Sequence, residues 1–377
     1  MTTPAIACRR ACPVPRKRPR CGPTAAVGVL AVLAATAGAA AKEITLYRIP
    51  IGDDGRHRYS DVRPPARVKY EEVRDFERTE RPVILRSGRR KIIVYHPKGE
   101  DREGGQIRDD VWYAVRLCER IAGIPYPGGR DIKVYKVPES DIGSAAQHRE
   151  EEGILTSGAG HFLMYHEIAH YWMNFDLFKD RWLAEGYAEL CAYIVGLRTR
   201  GLEAAEAYRL RRLRGVKDYP GDDFDLERWG RGEKTTLDRE RFAYGKGMTV
   251  CAMLLNRVGL FKLQQVNRAI RRRRKPVTTR EYYGLLEKAV GPRSGIDEIF
   301  SGWVISGGYY VKGKRVSFSA ALRAVEREKP KVPTFLDPGR EALHPTSRPT
   351  TSKPVGYFVD EHGNRIDPSQ ARPRPSP

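Results

Sequence analysis

HFLMYHEIAHYWMNFDLFKDRWLAEGYAEL, residues His161–Leu190, is the stretch on which the reading of this chain turns. His166 and His170 stand four residues apart in HEIAH. On an α-helix that spacing sets two side chains on one face, one turn apart, so both imidazoles can reach a single ion. Glu167 points to the neighbouring face, where a general base can reach a water held by that ion. A hydrolytic zinc takes three ligands from the protein and keeps one position open, so a third ligand is required. Glu185 is the expected one, with fourteen residues between it and His170. It lies in WLAEGYAEL, a second apolar-periodic run expected to form an antiparallel helix, with the charged segment Asp176 to Asp180 as the connection. Glu189, one turn further along the same face, is the rival ligand. With Glu185 on the metal, Glu189 is expected behind it, accepting a hydrogen bond from a ligating imidazole. The expectation is one Zn2+ per chain.

HEIAHYW followed by WLAEGYAEL resembles the HExxHxW and WLxEGxA elements of the aminopeptidase-N-type zinc peptidases, which are gluzincins. The family's usual gap between the second His and the Glu is longer, and that count alone favours Glu189. The residues around Glu185 favour Glu185, because a loop shortens more easily than a helix changes its pattern. RFAYGKGMTVCAMLLNRVG resembles the family's Tyr-x-Lys-Gly helix start, which implies that Tyr244 donates a hydrogen bond to the oxyanion of the tetrahedral intermediate. The helix Asp109 to Ile124, the IPYPGG turn and the strand DIKVYKVPE resemble the segment ahead of the family's active site. TTREYYGLLEKAV and IDEIFSGWVISGGYYVKGKRVSF resemble its last helices and closing Trp, here Trp303. The resemblance runs from about Val83 to about Phe318 and covers the catalytic domain only.

One family element is absent. Between Ile142 and Gly160, GSAAQHREEEGILTSG stands where the aminopeptidases carry Gly-x-Met-Glu-Asn, whose Glu holds the substrate's free amine. Glu150, Glu151 and Glu152 are candidates for that role, ahead of Gly153-Ile154-Leu155 as the expected edge strand; the other reading is a solvated acidic turn. The choice between endopeptidase and aminopeptidase stays open.

The 377 residues, 40% of them hydrophobic, suffice for a globular protein with a proper core and tails. The net charge is +21, and only six of the 68 basic residues fall in the first 23, so the remainder is strongly basic. That charge implies attraction to anionic surfaces such as an envelope polymer, without specifying one. RRRRK, Arg271 to Lys275, is the densest run, read as a solvated helix end or a binding patch. No aromatic residues interleave with it, so no specific nucleic-acid partner is expected.

Residues 1–41 join a basic start to the apolar AAVGVLAVLAATAGAAA and read as an export signal cleaved near Ala39 to Ala41, with a retained signal anchor as the alternative. The protein is therefore expected to be secreted or periplasmic. Cys118, Cys191 and Cys251 have no metal-type spacing and are expected as buried thiols. Residues 42–80 are expected to form an extended lead-in, 81–330 the peptidase domain, and 331–377 a Pro/Ser/Thr-rich tail with a small hairpin about His362-Gly363-Asn364. RPVILRSGRRKIIVYHP predicts a hairpin about Ser87-Gly88.

The expected fold class is thus α+β, a thermolysin-like zincin domain with a small mixed sheet, a helical C-terminal part and the HExxH helix between them. The expected activity is zinc-dependent hydrolysis of a peptide or protein substrate. The rival reading is a catalytically silent, zinc-stabilised basic protein that binds an anionic envelope surface.

Overall fold

A five-stranded mixed sheet and a set of helices build this α+β protein, seen in a computed structural model that describes residues 43–45, 47–50, 57–60, 76–137, 146–149, 153–158, 160–230, 234–306, 308–336, 358–359 and 365–366. The leader-like residues 1–41 lie outside the described residues. Short strands β1 (Glu43–Thr45), β2 (Tyr47–Pro50) and β3 (His57–Ser60) open the chain, with β2 paired to β3. β4 (Phe76–Leu85) and β5 (Gly88–Pro97) then form an antiparallel hairpin about Ser87-Gly88.

The hairpin arm begins at Phe76, earlier than hydrophobic alternation alone suggests. Its charged residues are held across the strands: Lys91 Nζ stands 2.8 Å from Glu80 Oε2. The next helix, α1 (Asp101–Ala122), likewise begins before the expected Asp109. Gly104 and Gly105 mask its first turn in the sequence, yet Gly104 serves packing, since a Cβ there would sit 2.2 Å from His96 Cδ2. β6 (Ile132–Lys136), β7 (Ala146–Arg149) and β8 (Gly153–Thr156) complete the sheet in the order β4-β5-β6-β8-β7. Gly153-Ile154-Leu155 is therefore not the edge strand; β8 is paired on both sides, and β7 forms the edge. Strand position depends on long-range pairing that local pattern does not carry. Glu150, Glu151 and Glu152, between these two strands, lie outside the described residues.

After Gly160 comes α2 (His161–Ala169), the HExxH helix. It ends at His170, its C-cap, instead of continuing, and bonds from Tyr171 N to Ile168 O (3.2 Å) and Trp172 N to Ala169 O (2.9 Å) tighten the exit. α3 (Arg181–Thr199) packs against α2 and is buried along most of its length, as an apolar run on every face demands. The link between them is fixed from far along the chain. Lys179 N donates to Val277 O (2.8 Å), Val277 N to Leu177 O (2.9 Å), and Asp180 Oδ2 accepts from Thr279 N (2.6 Å) and Oγ1 (2.7 Å).

α4 (Leu202–Lys217), β9 (Lys234–Thr236, paired with β1) and α5 (Leu237–Val258) follow. Thr236 caps α5 by accepting from Arg239 N at 3.1 Å, so Tyr244 lies two turns inside the helix and not at its start. α3 and α5 touch through glycines: a Cβ on Gly186 would meet Gly247 O at 2.7 Å. α6 (Leu260–Arg273), α7 (Thr279–Val290, opened by a Thr278/Glu281 capping box), α8 (Ile296–Ile299) and α9 (Phe318–Arg327) close the helical part. Arg271 to Lys275 are exposed, the first three as the last turn of α6 and the other two just beyond it. Trp303 is buried in the π-turn after α8, and strands Tyr309–Val311 and Lys314–Val316 pair ahead of α9. Near the C-terminus Phe358–Val359 pairs antiparallel with Arg365–Ile366. Cys118, Cys191 and Cys251 are buried free thiols. No helix among the described residues is long and apolar enough to cross a membrane.

Candidate metal centre

α2 and α3 bring His166, His170 and Glu185 to one point, and all three are buried, at 3%, 8% and 6% exposure. His166 Nε2 is 3.0 Å from His170 Nε2, and Glu185 Oε2 is 3.2 Å from the first and 3.4 Å from the second. A tetrahedral zinc with bonds of about 2.0–2.1 Å requires donor separations of about 3.3 Å. The three atoms are therefore spaced as the donor edges of such a site.

The protons are assigned by the far side of each ring. His170 Nδ1 lies 2.9 Å from the carbonyl of Met173, which can only accept, so Nδ1 carries the hydrogen. His166 Nδ1 lies 3.1 Å from Glu189 Oε1, without well-formed hydrogen-bond geometry, and the carboxylate beside it favours a hydrogen on that nitrogen. In the neutral form that a metal requires, each imidazole would present a bare Nε2 lone pair to the other and to a carboxylate oxygen. Three acceptors facing one another repel unless a cation sits among them. Glu185 Oε2 also lacks a well-formed hydrogen bond among the described residues, an orphan that a metal bond would satisfy. The donor set and its geometry fit zinc.

The surrounding field points the same way. Burial lowers the affinity of His166 for a proton, but the carboxylates of Glu189 and Glu185 outweigh it and push its pKa up to about 10. Burial would raise the Glu185 carboxyl, yet His170, His166 and Arg181 hold it well below the usual range. The C-terminal end of α2 adds the negative pole of its dipole at His170. This pocket stabilises positive charge, whether as proton or metal.

Glu189, 0% exposed, is held by Arg212 through Nε (2.7 Å) and Nη2 (2.6 Å), and Tyr208 donates to it as well. Among the described residues, the structure groups Glu185 with the two histidines and sets Glu189 behind His166. Glu167, half-buried, follows His166 on α2. Tyr244 faces the cluster from α5, its ring centroid 6.0 Å from that of His166. Burial and the charge of Glu185 raise its hydroxyl well above its ordinary pKa, so it stays a donor.

Sequence reasoning missed Arg181, Arg212, Trp229 and Glu240. Arg212 sits in RRLR, which reads as a solvated face, and Arg181 ends the charged run Lys179-Asp180-Arg181 at a helix start. The apolar periodicity around Arg181 was the available signal, since it implied a helix buried on that side.

No protein-family profile matches the sequence, and no curated relative matches it. Solved structures do. A mutant of the M1 zinc metallopeptidase from Deinococcus radiodurans is similar at 18% identity and TM-score 0.45, over 63% of this chain and 54% of that one. The metallopeptidase without a stated mutation gives 17% and 0.46, over 64% and 54%. Legionella pneumophila aminopeptidase A, in complex with aspartic acid, gives 18% and 0.46, over 62% and 28%. The chain thus spans about half, or less, of the length of these proteins.

Proposed function

We propose that this protein is a zinc-dependent peptidase. The observation that carries the reading is the buried convergence of His166 Nε2, His170 Nε2 and Glu185 Oε2 at 3.0–3.4 Å, with the Tyr244 ring 6.0 Å from that of His166. His166, His170 and Glu185 would hold one zinc, which when bound supplies a Lewis acid that lowers the pKa of water towards 7. Glu167 takes the proton from the attacking water and delivers it to the leaving amine. Tyr244 donates its hydroxyl hydrogen to the oxygen on which charge develops. Glu189, fixed by Arg212 and Tyr208, keeps the His166 ring in the tautomer whose Nε2 is free to bind.

The substrate class is peptide or protein, and the acids suited to hold a free amine, Glu150, Glu151 and Glu152, leave exopeptidase and endopeptidase to be separated by N-acetylated against free peptides. The leader-like residues 1–41 support an exported enzyme. Zinc content and peptide hydrolysis, measured together for the protein lacking those residues and for its Glu167→Gln variant, test the reading. About one zinc in both proteins with cleavage by the parent alone is the expected result. Zinc in both without cleavage would favour the silent envelope-binding protein, and a parent without zinc would end both.

A further inference from the structure

Resting on the peptidase reading, this inference concerns how its oxyanion donor is aimed. Arg181 Nη2 stands 3.2 Å from the hydroxyl oxygen of Tyr244. A guanidinium has hydrogens to give and no lone pair, so the tyrosine oxygen accepts and its own hydrogen must point elsewhere. The Tyr244 ring flanks His166 at 6.0 Å and the charge of Glu185 acts on its hydroxyl, so the candidate metal site neighbours that group.

The guanidinium is itself fixed on several sides. Nη2 pairs with Glu240 Oε2 at 3.0 Å, Nε lies 3.7 Å from Glu185 Oε1, and the Trp229 ring sits 4.3 Å beneath the guanidinium carbon. Trp229 Nε1 in turn donates to Glu240 Oε1 at 3.0 Å, and its ring meets Tyr244 edge-on at 4.9 Å. Arg181, Glu240 and Trp229 are all buried. A buried cation is costly; Nε and Nη1 make no well-formed hydrogen bond among the described residues, and the partners Arg181 does have are the candidate metal ligand, the candidate oxyanion donor and residues that brace them. Arg181 also precedes Glu185 by one helical turn, so one rigid face of α3 carries both the carboxylate and the group that aims the tyrosine.

We propose that Arg181 is a positioning residue for the hydrolysis: by occupying the Tyr244 oxygen as a donor, it commits the hydroxyl hydrogen to the oxyanion, and Glu240 and Trp229 hold it in that role. A mere structural ion pair would alter folding without acting through Tyr244. A substrate-binding arginine would act on KM.

The test is a double-mutant comparison on the zinc-loaded full chain. It uses Tyr244→Phe, the pair Arg181→Met with Glu240→Gln (so that no buried carboxylate is left unpaired), and all three substitutions together. The readouts are zinc content, kcat and KM on a fluorogenic peptide, and calorimetric affinity for a phosphinic peptide analogue. We expect about one zinc throughout and KM within roughly twofold for the pair. We expect the pair to lower kcat and phosphinate affinity by roughly 10- to 100-fold when Tyr244 is present, and by less than about threefold on top of Tyr244→Phe. A loss that persists in full on Tyr244→Phe, or a rise in KM alone, overturns the proposal while leaving the peptidase reading standing. A Tyr244→Phe variant with unaltered kcat overturns the assignment of Tyr244 itself, and a parent that cleaves nothing overturns both. Arg181→Lys, which keeps the charge but gives up the planar fork, carries the same comparison if the pair does not fold: a loss that vanishes on Tyr244→Phe upholds the proposal, and one that persists overturns it.

Discussion

Oε1 of Glu189 stands 3.1 Å from Nδ1 of His166, on the side of the ring away from Glu185. The carboxylate orients the imidazole and fixes which nitrogen is bare, while Arg212 keeps it from turning away. Glu189→Gln is therefore expected to weaken zinc affinity by roughly 10- to 100-fold without abolishing it. Glu185→Gln is expected to cost more, since it alters one of the three converging atoms. Competition with a fluorescent zinc chelator measures both; equal losses would return Glu189 to the rank of ligand.

Acid should find the same residue. Burial alone would raise the Glu189 carboxyl, but Arg212 and His166 hold it below its ordinary 4.5. A depressed folded-state pKa gives stability that is present above the unfolded value and lost as pH falls through the folded one. In metal-free protein, urea midpoints should hold above about pH 4.5 and fall on further acidification, and Glu189→Gln should flatten that decline. An unchanged acid limb in the variant would show that other carboxylates set it.

Chelation should lower the melting temperature. A metal bound only by the folded chain adds about 2.7 kcal/mol at a free concentration a hundred times its Kd. Differential scanning fluorimetry with and without a zinc chelator should reveal a shift in the parent that disappears in a His166→Ala, His170→Ala double variant. A shift of equal size in that variant would place the stabilising metal elsewhere.

Packing reaches the site through Gly186. A Cβ there would lie 2.7 Å from Gly247 O and 3.0 Å from Cys251 Sγ, so Gly186→Ala forces α3 away from α5. The cost should be roughly 1–3 kcal/mol. Because Glu185 is the preceding residue and Tyr244 rides on α5, zinc affinity should fall together with the denaturation midpoint. Preserved midpoints would mean that the two helices part easily.

Much of this was legible because it is local. Two histidines at helical spacing and an acid on a neighbouring apolar helix face announce themselves in thirty residues of sequence. What escaped is set by partners far away. Nothing in GILT says that it lies inside a sheet, since its place follows from pairing with Ile132–Lys136 and Ala146–Arg149. Helix α1 hid its start because Gly104 looks like a breaker until His96 is known to lie against it. Arg181 and Arg212 resemble the other arginines of a basic chain, and only burial against Glu240 and Glu189 sets them apart.

The clamp between Asp180 and Thr279 has a consequence for the order in which this protein matures. The three converging side chains leave the ribosome well before the segment that fixes the start of their second helix, because Thr279 follows Asp180 by 99 residues. Closing so long a loop must precede the full reward of the contacts it makes. The nascent chain therefore carries its histidines and Glu185 without a finished cradle, which is complete only after Thr279 has docked.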